Sequence, residues 1–189
     1  MRLRLFFALW PSREEQLLFR KIADDPGLGF SARWLVPEKI HLTLAFLPSV
    51  EEERVGSLCA LVERLRLPMI PLRLDRLLLQ PAGREGLLWL APNAPSPSLV
   101  QLVRSLQEGC VALDLSSGEW RRFSPHITLA RHVIPPCPPD TRRKHPVVLR
   151  CLAQPIDWLV PEMALVSSEA LPEGSRYTRL ASWALPTTA

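Results

Sequence analysis

Two short segments concentrate the residues able to do chemistry: Ile40-His41-Leu42-Thr43-Leu44-Ala45-Phe46 and Pro125-His126-Ile127-Thr128-Leu129-Ala130-Arg131. Each sets a histidine two residues before a threonine, and both continue as Leu-Ala. Alternation with period two makes each a strand, with Ile40, Leu42, Leu44 and Phe46 facing the core in the first and Ile127 and Leu129 in the second. His41 with Thr43, and His126 with Thr128, then share the opposite faces. An imidazole beside a hydroxyl, supplied twice, suits displacement at phosphorus. In-line attack needs one group to take a proton from the incoming oxygen and another, across the phosphorus, to protonate the departing one. Imidazole titrates near 6.5 and serves in either role. The threonine hydroxyls are placed to donate to the non-bridging oxygens, where negative charge accumulates.

A single His-x-Thr in a strand is more often a half-buried packing residue than a catalyst, so the weight rests on the repetition. Zinc is the other competitor. Its sites add carboxylates or thiolates to histidine, and none sits at ligand spacing beside either motif, which leaves only distant residues as ligands. The motifs lie 85 residues apart in a chain of 189. That is close to half the length, as a fold repeated internally into two facing lobes requires.

The elements that hold these strands follow from patterning. Strands are expected over Arg2 to Leu9, Ile40 to Phe46, Pro71 to Leu79, Leu87 to Ala91, His126 to Arg131, Glu162 to Ser168 and Tyr177 to Ala184. Ser12-Arg13-Glu14-Glu15 has capping-box spacing and opens a helix with an apolar stripe of Leu17, Leu18 and Ile22, ended by Asp25-Pro26-Gly27. Ser49-Val50-Glu51-Glu52 repeats the signature ahead of Val55, Leu58, Leu61, Val62 and Leu65, as far as Pro68. A third helix is expected from Ser98, with Gln101 in the capping position and Leu99, Leu102, Val103 and Leu106 buried. Many strands with few helices favour an α+β fold of antiparallel sheets covered on one face. Pro135 to Pro146 is too rich in proline for a regular element and reads as an exposed loop.

Composition bounds the rest. With 47% hydrophobic residues the chain can bury a core in one domain spanning 1–189, and 23 Lys+Arg against 19 Asp+Glu leave a net charge of +4, a mild bias towards anionic partners. The apolar start resembles a signal peptide but ends at Trp10, followed by Pro11, Ser12 and Arg13, and no segment reaches the length of a membrane span. A cytoplasmic protein is expected. Cys59, Cys110, Cys137 and Cys151 form no Cys-x-x-Cys pair and read as reduced structural thiols.

At the paired motifs the chain resembles the 2H phosphoesterase superfamily and, within it, the RNA 2′,3′-cyclic phosphodiesterases, also called 2′-5′ RNA ligases. The likeness takes in the Arg-Leu-Phe-Phe-Ala-Leu opening, Trp34-Leu35-Val36-Pro37-Glu38, the two motifs with Ser124 before the second, and Arg176-Tyr177 before Trp183-Ala184-Leu185. It implies a bilobal, pseudo-twofold duplicated fold, with two antiparallel sheets facing a central groove and helices on the outer faces. It implies opening of RNA 2′,3′-cyclic phosphates to 2′-phosphomonoesters with no metal or other cofactor, and reversible 2′-5′ joining. Carried over by motif, His41 is the proton donor to the leaving 3′ oxygen and His126 the proton acceptor from water. Thr43 and Thr128 bind the phosphate. Hydrolysis is favoured over joining, because water far outnumbers RNA ends and the chain has no nucleotide-activating lysine motif or Gly-rich phosphate loop.

Further residues stand on weaker ground. Arg131 falls on the face away from His126 by strict alternation, yet the resemblance gives it a substrate role, and its fork suits phosphate. Tyr177, the only tyrosine, is flanked by Arg176 and Arg179 and could stack a base, with sheet packing as the plainer reading. Arg142-Arg143-Lys144 reads as a solvated cluster with an RNA contact as its alternative, and His132 and His145 read as incidental. Pro48 stands where the family commonly has glycine and is expected to restrict the turn leaving the first strand. Two rival functions remain open: the same apparatus acting on a small cyclic phosphate such as a nucleotide or ADP-ribose derivative, or a noncatalytic RNA-end-binding module. A monomer is assumed.

Overall fold

The computed structural model describes residues 1–25, 28–115, 123–134, 145–172 and 174–187. Cys137, the Arg142-Arg143-Lys144 cluster and most of the proline-rich segment lie outside these. The described chain runs β1 (Arg2–Trp10), α1 (Arg13–Arg20), β2 (Ser31–Trp34), β3 (Leu42–Glu51), α2 (Val55–Glu63), β4 (Pro71–Ala82), β5 (Glu85–Pro92), α3 (Pro97–Ala112), β6 (Ile127–Ile134), β7 (Val147–Leu159), β8 (Glu162–Leu171) and β9 (Gly174–Ala184), with short 3-10 turns at Lys21–Asp24, Pro37–Lys39 and Glu52–Arg54.

The strands pair antiparallel in the order β7-β4-β5-β6-β3-β1-β8-β9, with β2 added on β6. This path is two four-stranded sheets that meet at one residue pair, Leu42↔Ile127. Those two residues directly follow His41 and His126, so the junction relates the halves by an approximate twofold. In each half a strand, a helix and the motif strand follow in order, β1-α1-β3 and β5-α3-β6, with the first and last paired antiparallel. The α+β, bilobal expectation therefore holds, with the two sheets joined rather than separate.

The core lies on one side of this joined sheet. Leu5, Phe7 and Leu9 of β1, Leu42, Leu44 and Leu47 of β3, Ile127 and Leu129 of β6, Leu58 and Val62 of α2, and the Leu99, Leu102, Val103 and Leu106 face of α3 form one buried cluster. The alternate residues of β1, Phe6, Ala8 and Trp10, form a second small cluster with Ala164 and Val166 on the opposite side, where the groove lies. A central strand buried on both faces explains the unbroken apolar run of β1.

The helix edges correct three expectations. The capping box at Ser12 is present, with Glu15 N–H donating to Ser12 Oγ at 3.3 Å and Ser12 N–H to the Glu15 carboxylate at 2.7 Å. The face of α1 that packs inward, however, is Gln16 and Phe19, while Leu17 and Leu18 are exposed. Ser49-Val50-Glu51 caps nothing, because β3 continues through it to Glu51. α3 starts earlier than expected, capped by Ser96 with Pro97 in the first turn. Pro48 likewise sits within β3 and not in a turn; β1 and β3 are out of step between Leu3↔Val50 and Leu5↔Leu47, and this irregularity accommodates it. Ser12→Ala should lower stability by about 1 kcal/mol, read as an earlier urea midpoint with unchanged slope.

Candidate active site

His41 and His126 stand one residue ahead of β3 and β6, at the twofold junction, and the same backbone device holds both. His41 Nδ1 lies 2.8 Å from the Lys39 carbonyl oxygen, and His126 Nδ1 lies 2.8 Å from that of Ser124. A carbonyl only accepts, so each Nδ1 carries the proton and each Nε2 is the atom left for chemistry. The 3-10 turn Pro37–Lys39 places the Lys39 carbonyl. The buried Gln16 of α1 steadies the same stretch by donating to the Ile40 carbonyl at 3.4 Å.

Aromatic rings fix the imidazole planes. His126 stacks on Trp89 with centroids 3.7 Å apart. His41 stacks on Phe6 at 4.9 Å and lies parallel to Trp10 at 5.2 Å, with the Tyr177 ring edge-on at 5.4 Å. Burial among these rings depresses both pKa values. His41 falls from 6.5 to about 4: burial is the main cause and the Arg131 and His126 charges add to it, opposed by the bond to the Lys39 carbonyl. His126 is also lowered, chiefly by burial and against its bond to Ser124.

His41, Thr43, His126, Thr128, Arg131 and Tyr177 all line one groove of about 240 Å³, together with Arg4, Phe6, Leu35, Lys39, Phe46, Ser168 and Ser175. No carboxylate is among them. Sharing Leu35, Lys39, Arg131, Ser175 and Tyr177 with it is a second concavity of about 310 Å³, which adds Arg33, Trp34, Ala170, Leu171 and Gly174, with no acid among its described lining residues. Among the described residues no three His, Cys, Asp or Glu side chains are grouped as metal ligands.

Strict alternation fails in both motif strands, at equivalent places. Phe7 pairs with Ala45 but Ala8 with Thr43, so Leu44 is an extra residue in β3. Leu88 pairs with Ala130 but Trp89 with Thr128, so Leu129 is the extra residue in β6. These are β-bulges, and the shared Leu-Ala is their sequence trace. Both residues of each pair are buried, and the Leu129 carbonyl accepts from Leu35 N–H at 2.9 Å. Past each bulge the side chains change face. That brings Arg131 into the groove, against strict alternation, and turns Phe46 out of the core into the groove, 43% exposed. Phe46 is thus corrected from core residue to groove residue.

Other readings sharpen. Tyr177 packs against Phe6 and His41 while lining both concavities. Its neighbours Arg176 and Arg179 are engaged with Glu169 and Glu162, at 3.4 and 2.5 Å, and Arg179 also covers Trp10. His132 has φ of 51° and lies 2.5 Å from Glu85. His145 lines a separate concavity beyond Trp89. Cys59, Cys110 and Cys151 are free thiols. Trp89 and Lys39 escaped the sequence reading because neither belongs to a motif, and Arg4, although it begins the Arg-Leu-Phe-Phe-Ala-Leu opening, because that segment reads as strand without a site role.

This two-lobed α+β frame with paired His-x-Thr strands is that of a 2H phosphoesterase. The family model of the 2′-5′ RNA ligase superfamily matches residues 31–171, and the chain belongs to that superfamily. It is 31% identical to the RNA 2′,3′-cyclic phosphodiesterase of Escherichia coli over 96% of each chain. To that of Thermus thermophilus it is also 31% identical, over 97% of this chain and 90% of the relative. Among solved structures it is similar to E. coli LigT complexed with 3′-AMP, with a TM-score of 0.75, 29% identity and coverage of 98% and 99%. No helix among the described residues is long and apolar enough to cross a membrane.

Proposed function

We propose that this chain hydrolyses RNA 2′,3′-cyclic phosphate ends to 2′-phosphomonoesters without a metal ion, and that it does so as a single-domain cytoplasmic monomer. The observation that carries the reading is the pair of Nε2 atoms presented by matching backbone clamps to one groove whose described lining includes Lys39 and Arg131 and no carboxylate. Similarity to curated relatives of that activity supports it. A water oxygen attacks phosphorus and passes its proton to His126 Nε2. The P–O3′ bond breaks, and His41 Nε2–H protonates O3′. Thr43, Thr128 and Arg131 donate to the non-bridging oxygens, and Tyr177 closes the side of the groove nearest His41. With a 5′-hydroxyl in place of water the same transfers make a 2′-5′ linkage. The second concavity favours an RNA strand over a small cyclic phosphate, since Arg33 and Lys39 are placed for backbone phosphates upstream of the reacting end.

EDTA-treated protein should convert a short RNA ending in a 2′,3′-cyclic phosphate to the 2′-phosphate, read by phosphorus NMR. RNA binding with no turnover would sink the enzymatic reading. Arg131→Gln should lower kcat/KM by roughly 10²-fold, as for loss of one charge-stabilising donor. It should also raise the His41 pKa, since one of the charges that depress it is removed. Titration of the imidazole by NMR checks the second effect independently of turnover.

A further inference from the structure

The twofold that relates the two motifs does not extend to what surrounds them. Beyond His41 the chain closes the space: Phe6, Trp10 and Tyr177 lie against the imidazole, and the Arg179 guanidinium covers Trp10 at 4.7 Å. Beyond His126, among the described residues, a single ring is stacked, that of Trp89, and past it lies a concavity of about 850 Å³. It is larger than either space of the groove and falls within the range of about 300–1,000 Å³ typical of sites for whole small molecules. The residues that hold His126 form one of its walls: Trp89 itself, Ser124, whose carbonyl accepts from Nδ1, and Pro125 between Ser124 and the histidine.

The chemistry of a cyclic phosphate gives this asymmetry a meaning. In-line displacement puts the entering oxygen on the side of the base and the departing one on the side of the acid. When the ring opens, O3′ stays attached to the ribose already in the groove, so the His41 side has no departing molecule to house. The entering oxygen belongs to a second molecule, which must find room on the His126 side. Water needs no concavity of this size, whereas a 5′-hydroxyl brings a nucleoside and the strand behind it. The lining suits that cargo. The Trp89 and Phe123 rings offer flat apolar surface, Asn93 and His145 are exposed polar groups, and no acid is among the described lining residues. Arg76 fixes the Pro92-Asn93 part of the wall by donating to both carbonyls at 2.8 Å.

We propose that the concavity beyond Trp89 is the acceptor-strand site of 2′-5′ joining: it seats the 5′-terminal nucleoside of a second RNA and brings its 5′-hydroxyl to His126. The 5′ oxygen bonds to phosphorus and gives its proton to His126 Nε2, while the P–O3′ bond breaks and O3′ takes the proton from His41 Nε2. This rests on the two-histidine reading above and adds the site of the second substrate. Hydrolysis does not use the concavity, since water reaches His126 without it, so mutation there separates the two reactions.

The test compares both reactions on one RNA ending in a 2′,3′-cyclic phosphate, with and without an excess of a short RNA bearing a 5′-hydroxyl. Joined strand and 2′-phosphate are separated on a denaturing gel, and wild-type protein is expected to form both when the acceptor is present. Asn93→Asp combined with His145→Glu sets two carboxylates against the phosphates of the incoming strand. It should lower joining at subsaturating acceptor at least about tenfold by like-charge repulsion, through the acceptor KM and not kcat, with hydrolysis in the absence of acceptor unchanged. Asn93→Gln combined with His145→Gln adds no charge and should join near the wild-type rate. Both positions are exposed, and an unchanged hydrolysis rate itself reports an intact fold. Joining that survives the carboxylates, or that falls in step with hydrolysis, overturns the inference. A wild-type protein that hydrolyses but joins nothing at any acceptor concentration also overturns it while leaving hydrolysis standing. No turnover of either kind overturns it together with the reading beneath it.

Discussion

His41→Ala and His126→Ala should each lower kcat on an RNA 2′,3′-cyclic phosphate by about 10²- to 10⁴-fold, the usual worth of a positioned acid or base. The fold gives a reason to expect this without unfolding. Both rings stand at strand entries ahead of the ladder residues, and the Leu42↔Ile127 junction is made by their neighbours. Removing His126 exposes one face of Trp89, and removing His41 loosens the contact among Phe6, Trp10 and Tyr177; neither takes an atom from the main core. The urea midpoints should therefore stay near that of wild type. The double variant should be hardly slower than the slower single one, because the two groups serve one proton transfer cycle and their effects do not add. Activity of His41→Ala close to wild type would refute the two-histidine mechanism. Additive losses would mean that each histidine acts separately.

The parts of this site that sequence showed are those with a local signature. The His-x-Thr pairs lie at strand entries, and the alternation that put the hydroxyls beside the imidazoles holds as far as Thr43 and Thr128. Beyond them a bulge depends on which partner residue each strand faces, and pairing is not written in one strand alone. Period-two reasoning therefore put Phe46 in the core and turned Arg131 away. The repeat itself carried the missing signal, since Leu-Ala follows both threonines and buries both of its residues each time. A similar limit explains the two strands that patterning missed. β2 has four residues and exists by pairing with β6. β7 is an edge strand holding Pro155, and its register on β4 jumps between Leu74↔Ile156 and Arg76↔Cys151, so its sequence shows no clean alternation. In α1 the polar Gln16 faces inward because the Ile40 carbonyl needs a donor there, which no hydrophobic pattern foretells.

The kcat/KM profile should be a bell with the midpoints of both limbs below pH 6.5. Hydrolysis needs one imidazole protonated and one neutral, and kcat/KM reports the free enzyme. There burial depresses both groups, His41 to about 4, so the pair titrates with two apparent values that both lie under the ordinary histidine range. Above the second of them kcat/KM falls about tenfold per pH unit, leaving roughly a hundredth of the maximum or less by about pH 8.5. The kcat profile should lie higher. A bound phosphodiester anion offsets the Arg131 charge that presses on His41 and stabilises imidazolium, so the proton that His41 donates is held more firmly once substrate is in place. Folding stability should carry the same signature with a fixed sign. The folded pKa lies below the unfolded one, so the unfolded chain takes up a proton first as pH falls. Stability should therefore drop between about pH 6.5 and 4, by up to about 3 kcal/mol for His41, and the His41→Ala variant should lose that part of the dependence. Measuring kcat/KM from about pH 4 to 9 decides the kinetic half. A falling limb with its midpoint above pH 7 would mean that the free groove already holds its acid protonated, against the burial of both rings.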